Sequence, residues 1–211
     1  MLRTDRDREV LEAVAFKVRM LSLDQVARAW WGRGENARRL ARRRLRRLVD
    51  AGLLERHEVL ARPLLELTGP LISWAPGDPD PDVGAVSYRL QSRWSKPPRR
   101  TTVFVASGRA VRELGGRGGK LPTLGQETHD LHTSELFLRR RELSPEEAHR
   151  WVGEEALKPH RERGEKLPDA VLVDEHGEIE LAIEFAGSYS ANRVAEFHND
   201  CLERELPYEL W

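Results

Sequence analysis

Apolar residues recur at helical steps along the first fifty positions. Val10, Leu11, Val14, Val18 and Leu21 predict a helix over 5–20. Ser22, followed three residues later by Gln25, is a capping-box signature for a second helix reaching about Trp31, which Gly32-Arg33-Gly34 stops. A third helix is predicted from Glu35 to Ala51. Its apolar stripe is Ala37, Leu40, Ala41, Leu45, Leu48 and Val49, and Gly52 is placed to end it in a left-handed conformation. Alternation over 53–67 predicts a strand, the Pro, Gly and Asp of 69–82 a turn or long loop, and 85–94 the returning strand. Lys96-Pro97-Pro98-Arg99-Arg100 reads as a basic break, 103–106 as a short strand and 107–114 as a short helix.

The stretch from Gly115 to Gly125 holds five glycines and no apolar stripe, so the domain boundary is expected there. The predicted organisation is 1–114, a Gly-rich linker over 115–128, and a second domain over 129–211. In that second domain, helices are expected over 131–143 and from Ser144-Pro145 onward, with Ser as N-cap and Pro at the first helical position. Ala170–Val173 and Ile179–Phe185 are strand-like runs around a His176-Gly177 hairpin turn. Ser190 caps a helix to about Glu205, and 207–211 forms a last strand. The pattern predicts an α+β protein.

Composition sharpens this picture. The formal net charge is zero, but its distribution is not even. Residues 1–60 hold 15 Lys and Arg against 9 Asp and Glu, 61–120 hold 10 against 5, and 121–211 hold 10 against 21. The first 120 residues therefore carry +11 and the last 91 carry −11, the asymmetry expected of one nucleic-acid-facing half and one that avoids it. The mean hydropathy is −0.60. No apolar run approaches the roughly 18 residues of a membrane span. The charged N-terminus lacks a signal core, and one cysteine, Cys201, forms no internal disulfide. The expected location is the cytoplasm.

Residues 33–47 hold eight arginines, and no acid lies between Asn36 and Val49. With Ala37, Leu40, Ala41, Leu45 and Leu48 facing a core, Arg38, Arg39, Arg42, Arg43 and Arg46 occupy the other face. A helix fits the major groove of DNA, where arginine pairs bidentately with guanine. Recognition helices insert N-terminal end first, so Arg38, Arg39 and Arg42 are candidates for base contact. Arg43, Arg46 and Arg47 are candidates for phosphate contact, and Arg33 is a further DNA-binding candidate. Of Trp30 and Trp31, one is expected in the core. The segment ENARRLARRRLRRLVDAGLLER, ending in Leu48-Val49-Asp50-Ala51-Gly52-Leu53-Leu54, resembles the winged helix-turn-helix superfamily. The resemblance implies an N-terminal winged helix-turn-helix that binds double-stranded DNA.

In the second half, Pro168-Asp169 and Ile183-Glu184-Phe185-Ala186 stand out. With the hairpin centred on His176-Gly177, positions whose numbers sum to 353 face each other, so Asp169 falls opposite Glu184. Facing carboxylates repel unless a cation or donor lies between them, and such a pair is able to hold Mg²⁺ with water. The arrangement resembles the PD-(D/E)xK nucleases, an α/β domain with a restriction-endonuclease-like core. That resemblance adds Glu135 as a third acid. The lysine expected two positions after Glu184 is replaced by Ala186; Arg193 is the basic residue within easy reach, and arginine does not act as a base. Three readings follow: a degenerate nuclease fold used for binding or dimerisation, an active Mg²⁺-dependent DNA nuclease using Glu135, Asp169 and Glu184, or acids that are only structural.

Taken together, LRRLVDAGLLER, THDLHTSELFLRRREL and LPDAVLVDEHGEIELAIEF resemble the replication-relaxation proteins of bacterial plasmids and integrative elements, in which His129 or His132 matches a junction histidine. This implies a DNA-binding protein of a mobile element acting on replication or transcription. A homodimer is expected because dimers match palindromic half-sites, with a replication or transcription protein as possible partner and no cofactor. An adaptor that binds protein is the remaining alternative. His129-Asp130-Leu131-His132 is better explained by capping and packing than by a metal, since nothing completes a tetrahedral set. Gly115–Lys120 lacks the spacing of a phosphate loop.

Overall fold

The computed structural model describes residues 4–119, 121, 124–160 and 166–211. The elements in chain order are α1 (Asp5–Glu12) running on into a π-helical turn (Ala13–Lys17), β1 (Leu21–Ser22), α2 (Leu23–Trp31), α3 (Glu35–Asp50), β2 (Leu54–Ala61), β3 (Ile72–Trp74), α4 (Val83–Ser92), β4 (Arg99–Ala106), α5 (Gly108–Leu114), α6 (Glu127–Leu143), α7 (Pro145–Arg150), β5 (Trp151–Gly153), α8 (Glu154–Leu157), a 3-10 turn (Lys158–His160), β6 (Ala170–Val173), β7 (Ile179–Glu184), α9 (Ala191–Glu203) and β8 (Tyr208–Leu210). The chain is α+β. It divides into two compact units that interleave in sequence: Met1–Leu64 with Pro98–Ala148, and Leu65–Pro97 with His149–Trp211.

The first unit is built on a three-stranded antiparallel sheet in the order β1-β4-β2, with Leu21 opposite Phe104 and Leu54 through Ala61 opposite Ala106 through Arg99. The capping box expected at Ser22 forms: the Gln25 N–H donates to Ser22 Oγ (3.2 Å), and Gln25 Oε1 accepts from the Ser22 N–H (3.0 Å). The other end of the same amide donates to the Leu131 carbonyl (2.8 Å), tying α2 to α6. Met20, Ala61, Val103, Val105 and Leu131 form a core between sheet and α6. Arg19 pairs with Asp130 at 2.8 Å, and the Ser134 hydroxyl donates to the Met20 carbonyl at 2.6 Å. His132 is fully buried, with Nδ1 2.6 Å from the Thr128 carbonyl.

Several sequence expectations change here. The returning strand is β4, not 85–94. That segment is α4, because Val83, Val86 and Leu90 fall on one helical face and the Asp82 side chain accepts from the Ala85 N–H at 2.9 Å; alternation of Val86, Tyr88 and Leu90 mimicked a strand. The loop expected over 69–82 contains β3. Residues 116–119 are packed against the chain and not an open linker, and the units do not divide there. Arg117 and Gly118 both donate to the Ala15 carbonyl (3.0 Å each), and a Cβ on Gly116 or Gly118 would lie 2.5 Å or 2.2 Å from a backbone oxygen of Ala15 or Val14. These glycines permit close backbone approach. Lys120, in the discarded phosphate-loop match, lies outside the described residues. α6 belongs to the first unit, whereas β3 and α4 belong to the second.

The second unit has a five-stranded sheet in the order β3-β8-β7-β6-β5, in which only β7 and β8 run parallel. The hairpin has the expected register: Ala170 opposite Ile183, Val171 opposite Ala182 and Leu172 opposite Leu181. Gly177 takes φ +86° in its turn. α4 and α9 cover one face through Val86, Leu90, Val194, Phe197 and Cys201, packed with Ala182 and Ala186. His198 is buried, with Nδ1 3.0 Å from the Tyr208 hydroxyl and Nε2 3.3 Å from Asp80.

The deepest electrostatic tie in the first unit joins α1 to α3. Asp7 is fully buried and accepts from Arg44 Nε at 2.6 Å and from Arg44 Nη2, while exchanging capping-box bonds with Thr4. Burial opposes ionisation of Asp7, but the bonds from Arg44 and Thr4 outweigh it and hold the carboxyl below its ordinary value. Breaking such a pair strands a buried charge, so Arg44→Ala is expected to lower unfolding stability by about 3 kcal/mol in urea titration. Because the folded pKa is depressed, the contribution of Asp7 is fully present above the ordinary carboxylate value of about 4 and is lost as pH falls through the lower folded value. Urea midpoints measured down through that window should fall less steeply in Asp7→Asn than in the natural chain.

Candidate nucleic-acid interface and carboxylate pair

α3 presents its arginines as a consequence of how it is anchored. Ala37, Ala41, Leu45 and Leu48 are buried, and Leu40 and Val49 are half-buried. Arg44 turns inward to Asp7 and so leaves the surface set. Arg33, Arg39, Arg42, Arg43, Arg46 and Arg47 are exposed, and Arg38 is half-exposed. No ion pair holds Arg33, Arg42, Arg43, Arg46 or Arg47 among the described residues. Arg39 Nη2 donates to Asn36 within the helix (2.9 Å), and Arg38 Nε donates to Asp24 of α2 (2.6 Å). Trp30 is in the core and donates to Glu9 at 3.0 Å; Trp31 is half-buried, with the Arg6 guanidinium 5.0 Å from its ring centre.

The β2–β4 ribbon adds further basic groups, two of them from the expected basic break at 96–100. Arg99 and Arg100 are exposed on β4, opposite Ala61 and Leu60, and Arg56 is exposed on β2. Glu58 lies among them. Its carboxyl is held below the usual range by hydrogen bonds from Thr102 and Arg56, with the Arg100 charge adding to the effect. The signal was present as Arg-Arg, but the misplaced returning strand concealed its position on the ribbon. The other missed residues are Asp24, fourteen positions from its partner Arg38, and Tyr189.

Asp169 and Glu184 meet as the register requires. Their charges are met by protein donors: the Asp169 N–H donates to Glu184 Oε2 (3.1 Å), the Phe185 N–H to Asp169 Oδ2 (2.8 Å), and the Tyr189 hydroxyl to Glu184 Oε1. Glu184 is buried and Asp169 half-buried. Burial and the neighbouring Glu184 charge push the Tyr189 phenol up, so it remains a donor. Arg193 lies over the Tyr189 ring, 4.2 Å from its centre, with Nη2 3.4 Å from the hydroxyl.

The third acid of the resemblance has partners of its own. Glu135 belongs to the first unit, where Arg28 Nη2 contacts both of its carboxylate oxygens at 2.6 Å and Gln25 donates to it at 3.1 Å. Ala186, at the position of the missing lysine, is fully buried in the apolar cluster under α4 and α9. A metal-dependent nuclease centre is therefore a poor fit to these residues: Asp169 and Glu184 are held by protein donors, Glu135 is held by Arg28 and Gln25, and an apolar core lies where the base would stand. No group of three or more His, Cys, Asp or Glu side chains suited to a metal ion occurs among the described residues.

Tyr189→Phe removes one donor from a buried carboxylate. It is expected to cost about 1–3 kcal/mol of unfolding stability at neutral pH, and less in a Glu184→Gln background; a double-mutant cycle by urea unfolding measures both. Mg²⁺ should leave the natural chain's unfolding midpoint unchanged. Comparison with known proteins finds no matching family, no matching characterised relative and no matching solved structure.

Proposed function

We propose that this chain binds double-stranded DNA through the arginine face of α3, with the β2–β4 ribbon as a second basic contact. The observation that carries the reading is the row of exposed arginines Arg42, Arg43, Arg46 and Arg47, without an ion-pair partner among the described residues, on a helix with no acid between Asn36 and Val49. A solvated structural helix normally alternates its charges, whereas a one-sign face is the footprint of a polyanion. Helix, short strand, two helices and an antiparallel ribbon, with a β1-β4-β2 sheet, is also the order of a winged helix-turn-helix, which supports placing α3 in the major groove.

Charge supports the same division of labour. The first unit holds 25 Lys and Arg against 16 Asp and Glu, the second 10 against 19, giving +9 and −9. The β5-β6-β7 meander followed by α9 and a strand parallel to β7 agrees with a nuclease-like fold. We assign this acidic unit a non-catalytic part, as a surface for a second copy or for a replication or transcription protein. Dimers suit such DNA-binding modules because they match palindromic half-sites.

Band-shift titrations of duplex DNA across a salt series test this reading. Binding should weaken steeply with salt, and Arg42→Ala with Arg46→Ala should flatten the log–log slope by about 2, close to one unit per lost phosphate contact. The DNA should remain intact with Mg²⁺ or Mn²⁺ present. Salt-independent binding, or none, would overturn the proposal, and metal-dependent cleavage lost in Asp169→Ala would replace it with a nuclease.

A further inference from the structure

Of the seven surface arginines of 33–47, Arg38 alone has a carboxylate partner among the described residues. Asp24 Oδ1 accepts from Arg38 Nε at 2.6 Å, across the turn between α2 and α3. Arg39 bonds only to a neutral amide on its own helix, and Arg44 is committed to the interior. The pair is a surface feature, its side chains 41% exposed for Arg38 and 57% for Asp24. Pairs of this exposure contribute little to stability. Asp24 nevertheless has a cost in the proposed function, because an exposed carboxylate beside a phosphate-binding face repels the ligand.

The geometry points to a specificity role: we infer that Asp24 positions Arg38 to read a guanine. This rests on the DNA-binding reading above. A guanidinium presents five N–H donors in a planar fork. With Nε held by Asp24, the edge formed by the two Nη atoms stays available and the plane is restrained against rotation. Guanine offers O6 and N7 side by side in the major groove, which matches that edge. Arg38 lies in the first turn of α3, four positions into the helix, at the end that enters the groove first. The unpaired Arg42, Arg43, Arg46 and Arg47 lack such restraint and suit phosphates, which tolerate varied approach. Asp24 is thus a positioning residue that converts one arginine of a non-selective row into a base reader, excluding adenine, which presents a donor where guanine has O6.

The test is selection from a pool of double-stranded DNA with a randomised central segment, followed by titration of the enriched duplex and of the unselected pool. The natural chain should enrich a guanine at a fixed position, preferred at least about tenfold over other bases. Asp24→Ala should lose that preference while binding the unselected pool more tightly, since a repulsive charge is gone. Arg38→Lys should keep binding to the pool and lose the same guanine, because lysine keeps the charge without the fork. Adding Asp24→Ala to Arg38→Ala should not change base preference further. A guanine preference that survives Asp24→Ala overturns the inference and leaves DNA binding standing. Parallel loss of selected and unselected binding in Asp24→Ala also overturns it, since that marks a structural role. If the natural chain binds no duplex DNA, the proposed function fails first, and this inference with it.

Discussion

A carboxylate without access to water must find its counter-charge inside the protein, and for Asp7 that counter-charge is Arg44. The consequence reaches beyond α1. Pulling Arg44 inward widens the buried face of α3 from Ala37, Ala41, Leu45 and Leu48 to include one cation, and fixes the rotation of the helix about its axis. Arg38, Arg42 and Arg46 then form one row at four-residue spacing, and Arg39, Arg43 and Arg47 a second. Like charges at that spacing destabilise an isolated helix by a few tenths of a kcal/mol per pair. The helix persists because its apolar face and the Asp7–Arg44 tie hold it against α1, α2 and β2.

The two units sort charge as well as mass. The linear division at residue 120 suggested +11 and −11; the spatial division gives +9 and −9, because Leu65–Pro97 leaves the basic half and α6 leaves the acidic one. The excursion between β2 and β4 is what a hairpin loop would be in a simpler chain. Here it carries β3 and α4, which complete the second unit: β3 pairs with β8, and α4 packs with α9 over Ala182 and Ala186. A unit of −9 does not attract a phosphate backbone, so in the proposed reading DNA contact falls to the first unit alone.

Local signals in the sequence were reliable where one element determines them. Ser22 and Gln25 made their capping box, Trp30 entered the core, Ser190 capped α9, and the 353 register of the β6–β7 hairpin was met residue for residue from 170 to 172. What was not legible depended on partners distant in sequence. α4 mimics a strand because Val86 and Leu90 fit either period and the exposed Tyr88 between them completes an alternation. Gly116 and Gly118 look like linker residues in sequence because their reason, the carbonyls of Ala15 and Val14, lies a hundred positions away. Glu135 was grouped with Asp169 and Glu184 by chain order, while its actual partners, Gln25 and Arg28, sit on α2.

The carboxylate pair shows how a correct register carries an undecided chemistry. Facing acids on neighbouring strands need something positive between them, and sequence alone leaves open whether that is a metal or the protein. Protein donors face both acids: two backbone N–H groups cross-link Asp169 with the Glu184–Phe185 segment, and the Tyr189 hydroxyl donates to Glu184. Arg93 reinforces the same strand end, donating to the Gly187 carbonyl at 3.0 Å with its guanidinium 4.8 Å from the Phe185 ring centre. Ala186 follows from this arrangement. Its side chain points into the apolar cluster, where a lysine would have to bury an ammonium among Val86, Leu90 and Val194. The acids and the alanine are thus parts of one arrangement, a packed and hydrogen-bonded strand end.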